Sequence, residues 1–240
     1  MSRTDWGSLA HLDDLRPVLD RADTTGAKNR LVDVIHRTAI ASALPAGRGV
    51  VLDFGCGVGR LSGWLADRAD VVVGLEVTPE MLGVARRRVT APNVSWVLFD
   101  GDHLPFANGS IRHVVSVYVL QHVLQSERLS ELAVEFARVM APGGRLVLIE
   151  QVRQDQVKQL DGFLEQRLAS TYSNAFQGAG FRMVEARPIR VPSRLTTGLS
   201  RLHVPEPVLM WLSQRSLAWA RNRLDHRSAD FLLSFDRTAS

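Results

Sequence analysis

Three glycines at alternate positions, Gly55, Gly57 and Gly59, follow the apolar run Val50-Val51-Leu52-Asp53-Phe54 and enclose Cys56 and Val58. Beyond them Leu61, Trp64, Leu65 and Arg68 recur at helical spacing. A strand that breaks into glycines and then starts a helix presents bare backbone N–H groups, the chemistry of a seat for a ligand pressed against the main chain. Carboxylates accompany this seat at intervals. Asp53 lies in the first apolar run, Glu76 ends the run Val71-Val72-Val73-Gly74-Leu75, and Asp100 follows Val94 to Phe99. A carboxylate at the end of a strand accepts from both hydroxyls of a ribose or from an amino group.

The spacing of the glycines selects among ligands. A dinucleotide loop asks for G-x-G-x-x-G/A, but here the third glycine comes one residue early and Arg60 holds the sixth position. A Walker A loop asks for a lysine and a hydroxyl residue that this segment lacks. D-x-G-x-G-x-G resembles instead the first motif of the class I S-adenosylmethionine-dependent methyltransferases. The order Asp53, Glu76, Asp100, Leu104-Pro105-Phe106 and Tyr118-Val119-Leu120-Gln121-His122-Val123 is similar to the small-molecule members related to ubiquinone and menaquinone biosynthesis. The resemblance covers residues 45 to 151 and loosens outside them. Arg112-His113 stands where that family often has Phe-Asp.

The resemblance implies S-adenosyl-L-methionine as cofactor and a role for each matching residue. Asp53 and the backbone of Gly55, Cys56, Gly57 and Gly59 hold the methionine end, and Glu76 takes the ribose hydroxyls. Val77 and Met81 lie along the adenine, Asp100 accepts from its amino group, and the Gly101 N–H serves a ring nitrogen. Val117 and Tyr118 approach the methionine portion. Methyl transfer to an O, N or C atom of a small molecule follows by in-line displacement, chiefly through positioning in a dry site. An oxygen acceptor also needs a base near neutral pH, and His122, just after the fourth strand, is the candidate. His103 and Glu150 are its alternatives, and Tyr118 is a candidate to orient the acceptor. The competing expectations are a catalytically silent or non-methylating cofactor-binding protein of this fold and, less favoured, a dinucleotide-dependent oxidoreductase. Cys56 invites reading as a nucleophile, but its place requires only a small residue.

These residues need strands to carry them. The expected strands are 50–54, 71–76, 94–99, 113–119 and 145–150, with helices at 30–44, after Thr78-Pro79, at 126–140 capped by Ser126, and at 171–179. An antiparallel pair, 181–186 and 230–236, closes the sheet. The fold expected is α/β: a Rossmann-like doubly wound sheet, mostly parallel with an antiparallel closing strand. An N-terminal helical lid over 1–44 and a helical insertion over 187–227 complete a single domain of 240 residues with its cofactor-binding core at 45–151. Lys28 or Arg30 of the lid is a candidate to meet the cofactor carboxylate.

The insertion carries eight arginines against Glu206 and Asp225, although the whole chain is only +4. It reads as a solvated face or as a surface that steers an acidic substrate or meets anionic lipid. Its expected helix from Pro205 to Leu224 places Trp211 and Trp219 on one broad face, either packed on the sheet or across a dimer, or capping the substrate. One cysteine excludes disulfides and cysteine-rich zinc sites, and no apolar run approaches a membrane span, leaving peripheral membrane contact open. The first twelve residues lack the apolar core of an export signal, so a cytoplasmic location is expected. The chain after strand four reads Val117-Tyr118-Val119-Leu120 where amino-group nucleic-acid methyltransferases carry an N/D-P-P-Y/F loop, so no nucleic-acid partner is expected. The acceptor identity and oligomeric state stay open.

Overall fold

A computed structural model describes residues 6–12, 15–45, 49–160, 162–190 and 228–239, with Pro205, Pro207, Val208, Trp211, Gln214 and Arg215. The elements that position the site are α1 (Ala27–Ala43), β1 (Val50–Phe54), α2 (Ser62–Ala66), β2 (Val71–Glu76), α3 (Pro79–Arg88), β3 (Val94–Leu98) and β4 (Ile111–Val117). They continue with α4 (Ser126–Val139), β5 (Met140–Arg153), β6 (Lys158–Leu160), β7 (Leu164–Leu168), α5 (Ala169–Gly178), β8 (Phe181–Arg190) and β9 (Ala229–Arg237).

The strands form one mixed sheet in the order β3-β2-β1-β4-β5-β9-β8, with a β6–β7 hairpin joined to the end of β5. β3, β2, β1, β4 and β5 are parallel, and β9 runs antiparallel between β5 and β8. The expected α/β architecture and its antiparallel closure are therefore present. Each central strand sends alternate side chains to opposite faces, which lets helices cover both. On β5, Leu146 and Leu148 join Phe136 of α4 and Phe176 of α5, whereas Val147 and Ile149 join Ile35 and Ile40 of α1.

Several local expectations change. β5 begins five residues early at Met140, because a register shift against β4 absorbs Pro142-Gly143-Gly144. A side chain at Gly144 would lie 2.4 Å from the Arg112 carbonyl, so the close approach there admits only glycine. Ser126 is the first helical residue of α4 and Gln125 is the N-cap, without a side-chain cap bond. Among the described residues before Ala27, a 3-10 turn at Gly7–Leu9 and successive turns precede α1. The β6–β7 hairpin had no forerunner in the sequence reading. Most of the insertion, including Trp219, lies outside the described residues; Pro207, Val208, Trp211, Gln214 and Arg215 are helical and exposed, with the Arg215 guanidinium over the Trp211 ring. Among the described residues no helix is long and apolar enough to cross a membrane.

The layer under α1 also contains buried charge. Arg60, which follows the glycine loop, pairs with Asp33 of α1 at 2.7 Å and lies 3.5 Å from His36 Nδ1. His36 Nε2 is 3.8 Å from Asp230 Oδ2, and Asp230 pairs with Arg190 at the end of β8. Arg190 in turn donates to the Tyr118 hydroxyl at 3.4 Å, and the Tyr118 ring stands edge-on to His36. Burial pushes His36 down to about 4, so it is neutral near pH 7. Burial alone would raise the Asp230 carboxyl; Arg190 and His36 outweigh it and hold the group down to about 2. A depressed acid contributes stability above its unfolded value, here lost as pH falls from about 4 through about 2. Replacing one partner leaves the other charge buried and alone. Asp230→Ala is accordingly expected to destabilise the fold by about 3–5 kcal/mol in urea denaturation, and a loss below 1 kcal/mol would show that the Arg190 charge finds another partner.

Candidate active site

The glycine loop is pinned to the end of β2. Gly55 and Cys56 donate their N–H groups to the Leu75 carbonyl at 2.8 and 3.0 Å. Gly55 has φ 69°, and a Cβ there would lie 2.4 Å from Val119 Cγ2 in the turn after β4. Gly57 has φ 54°, and a Cβ there would lie 2.6 Å from Val18 Cγ1, so the N-terminal segment rests directly on the loop. Both the left-handed backbone and the lack of space exclude a side chain at these two positions. Cys56 is buried, and burial raises its thiol well above the ordinary range, leaving it a small packing residue.

The carboxylates of β1 and β2 are buried beside this loop. Asp53 Oδ2 accepts from the Ser62 hydroxyl at 2.6 Å. Burial pushes the Asp53 carboxyl up to about 6, against the opposing pull of Ser62 and Arg60. Glu76 Oε2 accepts from the Gly57 N–H at 3.0 Å, and Oε1 accepts from the N–H groups of Val77 at 2.9 Å and Thr78 at 3.0 Å. The Thr78 hydroxyl also bonds the Glu76 carboxylate, which explains why Thr78 sits at the N-cap of α3 without bonding the helix. Burial raises the Glu76 carboxyl, and these donors oppose it. A ribose diol at Glu76 therefore shares or replaces donors that the chain already supplies.

Beyond β3 the surface opens. Asp100 is exposed, and its Oδ1 accepts from the Asp102 N–H at 2.9 Å. Gly101 has φ 97°, and a Cβ there would find only Val77 Cγ1, at 3.9 Å. Val77 is 39% exposed while Met81, one turn into α3, is buried. Bare backbone at Gly101, an acceptor at Asp100 and an apolar wall at Val77 make a shelf suited to a flat heterocycle.

At the end of β4 the chain turns sharply. Val117 is half-buried, and Tyr118 is the one non-glycine residue with positive φ among the described residues, at 60°. Its N–H donates to the Ile149 carbonyl at 2.8 Å while its side chain turns under α1, toward Arg190 and His36. A 3-10 turn, Leu120–His122, follows. Glu150, fully buried in β5 just past its pairing with β4, accepts from the N–H groups of Val119 (3.1 Å), Leu120 (2.8 Å) and Gln121 (3.2 Å). Burial pushes Glu150 up to about 8 against those three donors. Its oxygens are thus engaged in holding the turn. His122 Nδ1 lies 2.9 Å from the Phe163 carbonyl on the β6–β7 hairpin, and its ring meets Trp6 edge-on at 5.1 Å and Phe163 face-on at 6.1 Å. Burial lowers the His122 imidazole below its ordinary value.

Asp53, the glycine loop, Glu76, Val117 and His122 thus gather at the carboxyl ends of β1, β2 and β4, where ligands bind in such sheets. Other named residues stand elsewhere. Lys28 pairs with Asp20 at 2.5 Å, Arg30 donates to the Thr25 carbonyl at 3.4 Å, and His103 is exposed on the loop before α4. Ser62, Trp6, Phe163 and Arg167 escaped the sequence reading. Ser62 is an ordinary helix-start residue, and the hairpin residues sit in a polar stretch without periodicity, so neither carried a signal.

Residues 52–148 match the family described as Methyltransferase domain. A demethylmenaquinone methyltransferase of Tropheryma whipplei is 32% identical over 147 residues, covering 58% of this chain and 60% of that protein. The methyltransferase GfsG of Streptomyces halstedii is 37% identical over 107 residues, covering 42% of this chain and 37% of that protein. Among solved structures, geranyl diphosphate C-methyltransferase from Streptomyces coelicolor superposes with a TM-score of 0.64 at 16% identity, covering 93% of this chain and 88% of the other, a likeness of fold. The matches thus span about two-fifths to three-fifths of those curated relatives' own length. Over residues 52–148 the chain is thus similar to the S-adenosylmethionine-dependent methyltransferases of the group that includes the ubiquinone and menaquinone enzymes, whose cofactor is S-adenosyl-L-methionine.

The residues present fit that cofactor: a glycine cradle without room for side chains, a buried acid ending β2, and an open shelf beyond β3. Glu76→Ala is expected to weaken S-adenosylhomocysteine binding tenfold or more, the scale of about 1.4 kcal/mol or more from lost charged hydrogen bonds. Gly57→Val, which forces a side chain onto Val18, is expected to weaken it at least as far. Tryptophan fluorescence titration of folded variants measures both, and unchanged affinity in either removes that residue from the site.

Proposed function

We propose that the protein transfers the methyl group of S-adenosyl-L-methionine to a hydroxyl of an apolar small molecule, with His122 as the base. The observation that carries this reading is the tethering of His122 Nδ1 to the Phe163 carbonyl. A carbonyl only accepts, so Nδ1 carries the hydrogen and Nε2 keeps its lone pair in the neutral ring. Nε2 makes no hydrogen bond among the described residues. Trp6 and Phe163 flank the imidazole with aromatic surface, favouring an apolar acceptor beside it.

Residue roles follow from these positions. Asp53 and the glycine-loop backbone orient the methionine end, Glu76 takes the ribose, and Val77, Met81, Asp100 and Gly101 take the adenine. Val117 and the backbone of Tyr118 border the reacting end; the Tyr118 side chain is turned away under α1 and braces the fold. The cofactor, when bound, supplies a methyl group already activated on a sulfonium. The protein's part is to align the acceptor oxygen, exclude water and accept the hydroxyl proton at His122 Nε2. The N-terminal segment, with Val18 over Gly57 and Trp6 beside His122, covers both halves of this site.

Activity requires His122 neutral, and burial lowers its pKa, so the sign is fixed: the rate rises with pH through an inflection below about 6.5 and levels off above it. The test incubates the protein with methyl-labelled cofactor and a panel of hydroxyl-bearing apolar acceptors across pH. His122→Gln is expected to slow transfer about 10²–10⁴-fold and to abolish the inflection. An inflection that survives in His122→Gln assigns the base elsewhere. Cofactor binding without label in any acceptor would favour a silent or non-methylating use of the site.

A further inference from the structure

The turn that carries His122 is held from two sides by two buried side chains, a carboxyl group that accepts and a guanidinium that donates. From β5, the Glu150 carboxyl group collects the N–H groups of Val119, Leu120 and Gln121. From β7, Arg167 donates through one guanidinium nitrogen to the Leu120 carbonyl at 3.0 Å and through another to the Val123 carbonyl. Its third nitrogen is 3.0 Å from Glu165 Oε1. Arg167 and Glu150 are both completely buried, and Tyr172 of α5 is buried with them. A buried guanidinium costs several kcal/mol in desolvation unless fully paired, so a fork across two carbonyls that flank His122 is a costly way to build a plain turn.

The hairpin that supplies Arg167 also supplies the Phe163 carbonyl that fixes the His122 ring. Backbone and side chain of the same histidine are therefore tied to one inserted element: Leu120 and Val123 through Arg167, the imidazole through Phe163. The hairpin joins the main sheet where Arg167 and Leu168 pair with Val152 and Arg153 of β5 and where Gln166 Nε2 donates to Gln151 Oε1 at 2.7 Å. Arg167 thus stands at the junction that sets the distance between hairpin and turn.

We propose that Arg167 is the positioning residue of this site: its guanidinium fork locks the Leu120–Val123 turn against the β6–β7 hairpin and thereby fixes the tautomer and orientation of His122. Glu150 is its counterpart on the N–H side of the turn. The proposal rests on the reading of His122 as the base, but the geometry it asserts is measurable without methyl transfer.

The test uses ¹⁵N-histidine-labelled full-length protein and long-range proton–nitrogen NMR of the imidazoles, with His122→Gln to assign the signal. In the wild type the His122 ring is expected as the Nδ1–H form, titrating below the ordinary histidine value. In Arg167→Met the Nδ1–H signature is expected to give way to a tautomer mixture titrating at the ordinary value. Exchange of the Val119 to Val123 amides should accelerate at least tenfold, while S-adenosylhomocysteine affinity changes by less than threefold. Arg167→Lys, which keeps a charge near Glu150 but has no fork, serves where the methionine variant does not fold, and is expected to shift the tautomer in the same direction. An unchanged His122 tautomer and titration in a folded Arg167 variant overturns the proposal. A normal shift with no methyl transfer in any variant leaves Arg167 as the positioning residue and removes the catalytic reading instead.

Discussion

Glu76 at the end of β2 and Glu150, just past the β4-paired part of β5, each spend a carboxyl group on three backbone N–H groups of the segment above. At the end of β2 the donors are Gly57, Val77 and Thr78. On β5 they are Val119, Leu120 and Gln121. Loops at the carboxyl edge of a sheet have orphan donors by construction, and in a buried setting those donors need acceptors. Placing the acceptor on the strand below holds each loop without filling the space above it. The glycine loop and the His122 turn then meet where Gly55 has no room for a side chain against Val119. The proposed site depends on this arrangement, because each carboxyl group holds one of the two loops that border it.

The two acids differ in what remains available to a ligand. Glu76 faces the glycine loop, where the proposed nucleoside would lie, so its bonds to the chain are ones a ribose could enter. Glu150 lies wholly inside, and its neighbours Arg167 and Tyr172 close it off. On the proposed reading, similar residues thus separate into a ligand contact and an internal brace by their burial.

The parallel core was legible because its signals are local: apolar runs of strand length, a glycine triplet, and acids at strand ends. The loop's demand for glycine follows from backbone sterics, which a sequence states directly. The brace around His122 was not legible, since Arg167 sits 45 residues after His122 in a polar stretch and acts only once β5 brings the hairpin alongside. Tyr118 shows the same limit from the other side. Its place after β4 suggested an acceptor contact, but the left-handed backbone at that residue sends the ring under α1. The side chains that receive it, His36, Arg190 and Asp230, come from three separated segments, and no spacing rule links them. Glu150 read as a free carboxylate for the same reason, because its donors appear only when β4 and β5 pair.

On the proposed reading, the glycine loop, Glu76 and the shelf at Gly101 together seat an adenosyl sulfonium nucleoside and not a dinucleotide. The most direct measurement is a pair of calorimetric titrations of the purified protein, one with S-adenosylhomocysteine and one with NAD. Saturable one-to-one binding of S-adenosylhomocysteine with no heat from NAD is the expected result. Binding of NAD, or of neither ligand, would contradict the assignment of this loop.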